Sequence, residues 1–386
     1  MVSVFLLLIG CTILAYAYKA DLVEVLNTDS NSIFLKKYNS TFAAKIFFAV
    51  LLVTLIIFAG TRNEMNDTLV YGRNFDQLDY SSIFEIEDWS IGANPFFVAY
   101  QIIIKKYITQ NTHGFFLITS CIVVTSYILF FRKHSFDFGF SIYTFIAFTV
   151  YAFTMAAMKQ TLAIAIAIWA VPLFLKKKSL TAIFLIIIAM LFHPYVFLYV
   201  VMLFLTENIW DKRSVIIIIT TILAGVFFTR FIGGATEFVT IIGDEYSDDL
   251  LEGSVNIFRV LVYLVTPILS FVFRESLREK NNKLINLLVN LSLVAACFMV
   301  IGLFGAANLM GRLANYFDIF VCISLPVVIE IGLENKANKK AIVVLAFVFF
   351  AVFYYVHYAR YADVAENRLF SDFYNHRSLF DILGAW

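Results

Sequence analysis

Long apolar runs separated by short polar breaks dominate the chain, near 2–18, 43–60, 114–131, 138–156, 159–175, 214–232, 255–273, 284–304, 313–333 and 341–358. A helix crossing a hydrocarbon core of about 30 Å needs roughly 20 such residues. Only helices and closed barrels satisfy their backbone there, and unbroken runs exclude alternating barrel strands. The pattern predicts an all-α polytopic membrane protein, a single transmembrane helical domain over 1–386.

The stretch 179–206 is too long for one crossing and is interrupted by His193-Pro194. Proline turns the residue before it away from helix. Two short helices meeting at His193, a broken hairpin, are expected, and broken backbone at membrane depth is tolerated where it lines a cavity or is buried in protein. Counting both halves gives about 12 segments with both termini outside. The loops then assigned to the inside, 19–45, 132–137, 176–180, 207–213, 274–283 and 334–340, hold 18 of the 29 Lys and Arg. Short loops rich in these residues face the cytoplasm. A single crossing over 179–206 would put Lys176-Lys177-Lys178 and Lys212-Arg213 on opposite sides.

The outside segments are 61–113, the loop 233–254, 305–312 and the C-terminal tail 359–386. They carry Glu85, Glu87, Asp88, Asp244, Glu245, Asp248, Asp249 and Glu252. Within 61–113, the apolar Asn94–Tyr107 is expected to form a helix on the membrane surface or a re-entrant one.

Composition agrees with lipid as the solvent: 61% of residues are hydrophobic and 15% charged, against roughly 45–50% and about 25% in soluble chains. A formal net charge of +1 gives no basic surface for nucleic acid. Cys11, Cys121, Cys297 and Cys322 lie inside apolar runs and are expected as small core residues, without a disulfide framework. The apolar start lacks the basic region of a secretory signal. Metal-ligand clusters and glycine-rich phosphate loops are missing from the sequence, so no metal and no cofactor is expected.

Ionisable residues in membrane helices are costly and mark partners or function. Four places stand out, all at the outer face in this topology. In Gly60–Arg73, Arg62 has a fork of donors suited to phosphate, and Asp67 is placed to take a proton or hold a sugar; a solvated, self-paired loop is the alternative. Lys159, in Met158-Lys159-Gln160-Thr161, is a lone cation at a hinge, or a snorkelling lysine. His193 sits at the break, as a proton carrier or as a cap with a hydrogen-bonded imidazole. In Met310–Asp318, the spacing puts Arg312, Asn315 and Tyr316 on one helix face; a structural pair of Arg312 with Asp67 or Asp318 is the alternative. Arg230, Arg259 and Arg360 are weaker candidates. Tyr354, Tyr355, Tyr358 and Tyr361 are expected in the interfacial aromatic belt.

These motifs together resemble the EpsG family of polysaccharide polymerases, within the Wzy-type group. An Arg followed by an Asp and, four residues on, a Tyr resembles Arg62, Asp67 and Tyr71. An Arg-Gln opening an alanine-rich helix resembles Lys159-Gln160, with Lys in place of the family's usual Arg. A lysine-rich turn and a Phe-His resemble Lys176–Lys178 and Phe192-His193, and an Arg followed by Tyr-Phe resembles Arg312 and Tyr316-Phe317.

The resemblance implies a membrane glycosyltransferase of the C-type fold, independent of metal, in the bacterial inner membrane with its site facing the periplasm. It implies undecaprenyl-pyrophosphate-linked oligosaccharide and membrane lipid as partners, with a Wzz-type chain-length regulator and a flippase nearby. Arg62, Lys159 and Arg312 are then expected to bind pyrophosphate, His193 or Asp67 to act as base, and Tyr71, Arg73, Asn315 and Tyr316 to contact sugar. A carrier or flippase for the same lipid-linked sugars, or an acyltransferase decorating them, are the alternative classes.

Overall fold

The computed structural model describes residues 2–20, 22–25, 37–63, 65–79, 82–205, 208–228, 230–234, 237, 251–334 and 336–364. Among the described residues the architecture is helical, with one antiparallel strand pair, β1 (Leu22–Val25) against β2 (Lys37–Ser40), in the register Leu22 opposite Ser40. Among the described residues, five helices are long and apolar enough to cross a membrane, and up to eight if each bent pair is one span. Val4–Lys19, Ser179–Met190 and Pro194–Leu203 are shorter apolar helices.

The chain divides into two compact units. The first comprises Met1–Trp89, Pro95–Ala165 and Ala346–Trp386. It contains α1 (Val2–Ala20), α2 (Phe42–Gly60), α3 (Thr68–Asp76), α4 (Pro95–Tyr107), α5 (Thr112–His134), α6 (Phe138–Ala147), α7 (Val150–Ala156) and most of α8 (Met158–Ala167). Helix α2 packs on both α1 and α5. The approach to α5 is possible because residue 60 is glycine: a Cβ there would lie 2.8 Å from the Leu117 Cα. Phe42, Ile46, Val50 and Val53 of α2 are exposed, as expected of a helix whose outer surface meets lipid rather than water.

The second unit comprises Ser90–Asn94 and Ile166–Leu345. It holds α9 (Ala170–Leu175), α10 (Ser179–Met190), a 3-10 helix (Pro194–Leu203), α11 (Lys212–Val226), α12 (Ile257–Val272), α13 (Arg274–Lys280), α14 (Lys283–Ile301), α15 (Ala307–Asn315) and α16 (Asp318–Gly332). Its core helix is α14, 83% buried over its apolar window, packed against α11, α12, α15 and α16. The last helix, α17 (Lys339–Val364), runs from this unit into the first.

Several runs expected as continuous helices are bent. The run 138–156 turns by 53° between α6 and α7, where Thr149 adopts φ 65, a left-handed conformation rare for a β-branched residue. The run 313–333 begins earlier than expected, and α15 and α16 meet at 63°. The hairpin at His193-Pro194 is present as α10 and the 3-10 helix packed together. Helix α4 fills the apolar half of the loop 61–113, with Pro95 at its first position, where a missing N–H costs nothing.

Two smaller expectations need correction. Cys121 is exposed on α5 rather than in the core, while Cys11, Cys297 and Cys322 are buried and all four are free. Tyr354 and Tyr358 are buried, their rings 4.7 Å apart edge to face, because that face of α17 turns inward; the Tyr354 hydroxyl donates to Val4 O. The Tyr361 and Arg360 side chains, like the acidic residues 244–249, lie outside the described residues.

Candidate functional site

In the first unit, the chemistry gathers where α2 ends and α5 begins. Arg62 follows the last turn of α2 and is only 1% exposed. Its Nη1 donates to Ala59 O at 2.5 Å and to Ser120 Oγ at 3.4 Å, and its Nε to Thr68 Oγ1 at 3.1 Å. The guanidinium lies 4.6 Å from the centre of the Phe116 ring, a cation–π arrangement. One side chain thus joins α2, α3 and α5. A cation is favoured at the C-terminal end of α2 by the helix dipole. Burial pushes the group down to about 10, so it remains charged at neutral pH.

Asp67 stands at the N-cap of α3 but makes no side-chain capping bond, which leaves its partly exposed carboxylate available for other work. Tyr71, one turn on, is buried with its ring edge-on to Phe97 of α4. Arg73 is exposed in the last turn of α3. The Lys105 Nζ holds that end of the helix by donating to Phe75 O, Asp76 O and Leu78 O at 2.8–2.9 Å. Lys159, in the first turn of α8, is partly buried and followed by buried Gln160 and Thr161.

In the second unit, the break after α10 places His193 with extended backbone, φ −159 and ψ 121, before the 3-10 helix. Its Nδ1 is 2.5 Å from the Tyr316 hydroxyl. Tyr316 is fully buried, and its carbonyl accepts from the Tyr199 hydroxyl at 2.8 Å. Tyr199 in turn stacks on Phe317 at 5.7 Å. The imidazole is therefore held against a rigid aromatic junction.

Tyr316 and Phe317 form the corner between α15 and α16. Tyr316 caps α15 with helical backbone, φ −63 and ψ −24; along this turn Arg312 is exposed and Tyr316 buried. The Arg312 Nε donates to Asn308 Oδ1 at 3.1 Å. Asp318, 4% exposed, accepts from the Tyr263 hydroxyl at 2.9 Å. With its amide oriented to satisfy both groups, Asn315 donates to Asp318 Oδ2 at 2.9 Å and Gly311 O at 3.2 Å. Arg259 lies close enough to act electrostatically on both Tyr263 and Asp318.

Tyr263 carried no weight in the sequence. Its only signal was the i, i+4 spacing from Arg259 on α12, which puts two polar groups on one face of an apolar helix.

The EpsG family model matches residues 45–374. No curated protein matches the chain, nor does any solved structure.

Proposed function

Since the chain belongs to the EpsG family, membrane proteins akin to Wzy-type polysaccharide polymerases, we propose that it joins oligosaccharide repeat units carried on undecaprenyl pyrophosphate. The reaction would run at the outer face of the bacterial inner membrane. The bond from the anomeric carbon of the growing chain to its pyrophosphate oxygen breaks. A hydroxyl of the incoming unit forms the new glycosidic bond, its proton passes to a protein base, and the lipid pyrophosphate leaves.

The observation that carries the assignment of a base is the 2.5 Å contact between His193 Nδ1 and the Tyr316 hydroxyl. With Nδ1–H donating to Tyr316, the proton-accepting nitrogen is Nε2, the arrangement a general base needs. Asp67 is the second candidate. Arg312, exposed on α15, and Lys159 are proposed to meet the diphosphate and stabilise charge on the leaving group. Arg62 contributes positive charge from a buried position and fixes the turn that presents Asp67. Arg73 and Asn315 are proposed to contact sugar, with Tyr71 supporting α3 from beneath.

The test is purified protein in detergent micelles supplied with lipid-linked repeat units. Micelles offer no bilayer to cross, so polymer formed there requires transfer. A protein that only carries these lipids would leave the units unjoined.

A further inference from the structure

We propose that the first unit contains a saccharide subsite between α3 and the start of α5, formed by residues outside the pyrophosphate and base assignments. A cavity of about 390 Å³ lies there, lined among others by Asn63, Arg73, Asp76, Gln110, His113 and Phe116. Ligand pockets run from roughly 300 to 1,000 Å³, and this one suits a mono- or disaccharide. It lies at the ends of the two candidate spans Phe42–Gly60 and Thr112–His134, with Thr112, His113 and Phe116 of the second span's first turns in its wall.

The cavity is built, not incidental. Gly72 lines it, and a Cβ at that position would approach Thr112 Cγ2 to 3.1 Å and Phe116 Cζ to 3.5 Å. The His113 Nε2 is 2.8 Å from Asn63 Oδ1, which ties the wall following α2 to the first turn of α5. The Thr112 hydroxyl donates to Asp76 Oδ1, and Asn111 Oδ1 accepts from the backbone N–H of His113 at 2.8 Å. These bonds fix the side chains before any ligand enters, which lowers the ordering cost of binding.

The lining chemistry selects the ligand class. Within the lining Arg73 supplies the permanent cation and Asp76 a carboxylate, so a diphosphate there would meet a negative charge. Amides, a carboxylate and a guanidinium instead offer the mixed donors and acceptors that sugar hydroxyls require, and Phe116 adds an aromatic ring to the lining. The identity of the sugar as the protein's own repeat unit rests on the polymerase reading; the saccharide class does not.

The experiment uses the full chain in lipid nanodiscs. Leu69, exposed and lining the cavity, is replaced by cysteine in a Cys121→Ser background, and maleimide labelling is followed. The probe is oligosaccharide released by mild acid from the polymer of the cell that carries the gene, with inorganic pyrophosphate as the comparison. Oligosaccharide is expected to slow labelling while pyrophosphate does not. Asp76→Asn and His113→Gln, both close in shape to the originals, are expected to weaken that protection about tenfold each, the scale of one hydrogen bond. No protection by oligosaccharide, protection by pyrophosphate, or protection indifferent to both variants would overturn the subsite. Polymer formation without protection removes the subsite alone; protection without polymer formation removes the polymerase reading alone.

Discussion

Replacing Tyr316 by Phe deletes one oxygen and little else. The ring is fully buried and the hydroxyl sits 2.5 Å from His193 Nδ1. The backbone carbonyl that accepts from Tyr199 is untouched. Removing one partner of a buried hydrogen bond costs about 1–3 kcal/mol. If that bond serves to hold His193 as a base, the cost appears in the transition state, and at about 1.36 kcal/mol per decade it lowers kcat by roughly 10- to 100-fold. His193→Ala should lose about 10²–10⁴-fold, the contribution of a positioned base.

The assay is a double-mutant cycle on polymer formation from lipid-linked units. Tyr316→Phe should slow the native enzyme by its full factor and the His193→Ala enzyme by almost nothing, because the residue it positions is gone. An equal factor in both backgrounds would refute the idea that Tyr316 acts through His193.

Arg62→Met should lower unfolding stability by about 3 kcal/mol or more, since a side chain bonded to three elements is lost and buried acceptors are left unpaired; denaturant unfolding in detergent measures it, and an unchanged midpoint would show that the Arg62 contacts are idle. Gly60→Val should cost about 1–3 kcal/mol by overpacking and separate α2 from α5, read as weakened crosslinking between cysteines placed on the two helices. Lys159→Arg should retain polymer formation, while Lys159→Gln should lose about tenfold or more through the missing charge; equal rates for both would take Lys159 out of charge stabilisation.

Much of the fold was legible where one physical rule acted alone. The spans α2, α5 and α14 follow from apolar length, and the break at His193 follows from Pro194. The bend at Thr149 was not legible, because neither proline nor glycine marks it. The corner at Tyr316-Phe317 was hidden in the same way, with neither proline nor glycine at the 63° bend between α15 and α16. Arg62 was read as a phosphate ligand from its charge; its burial and its bond to Ser120 were not legible, because they depend on the return of α5, 58 residues later. The pairing of Tyr263 with Asp318, across 55 residues, is likewise a product of tertiary packing between α12 and α16.

The most direct test of the account is transfer of lipid-linked repeat units by purified protein carrying Arg312→Ala. Arg312 is exposed, so the variant should fold as the native chain does, yet form little or no polymer. Full polymer formation by that variant, or units that cross a bilayer without ever being joined by the native protein, would contradict it.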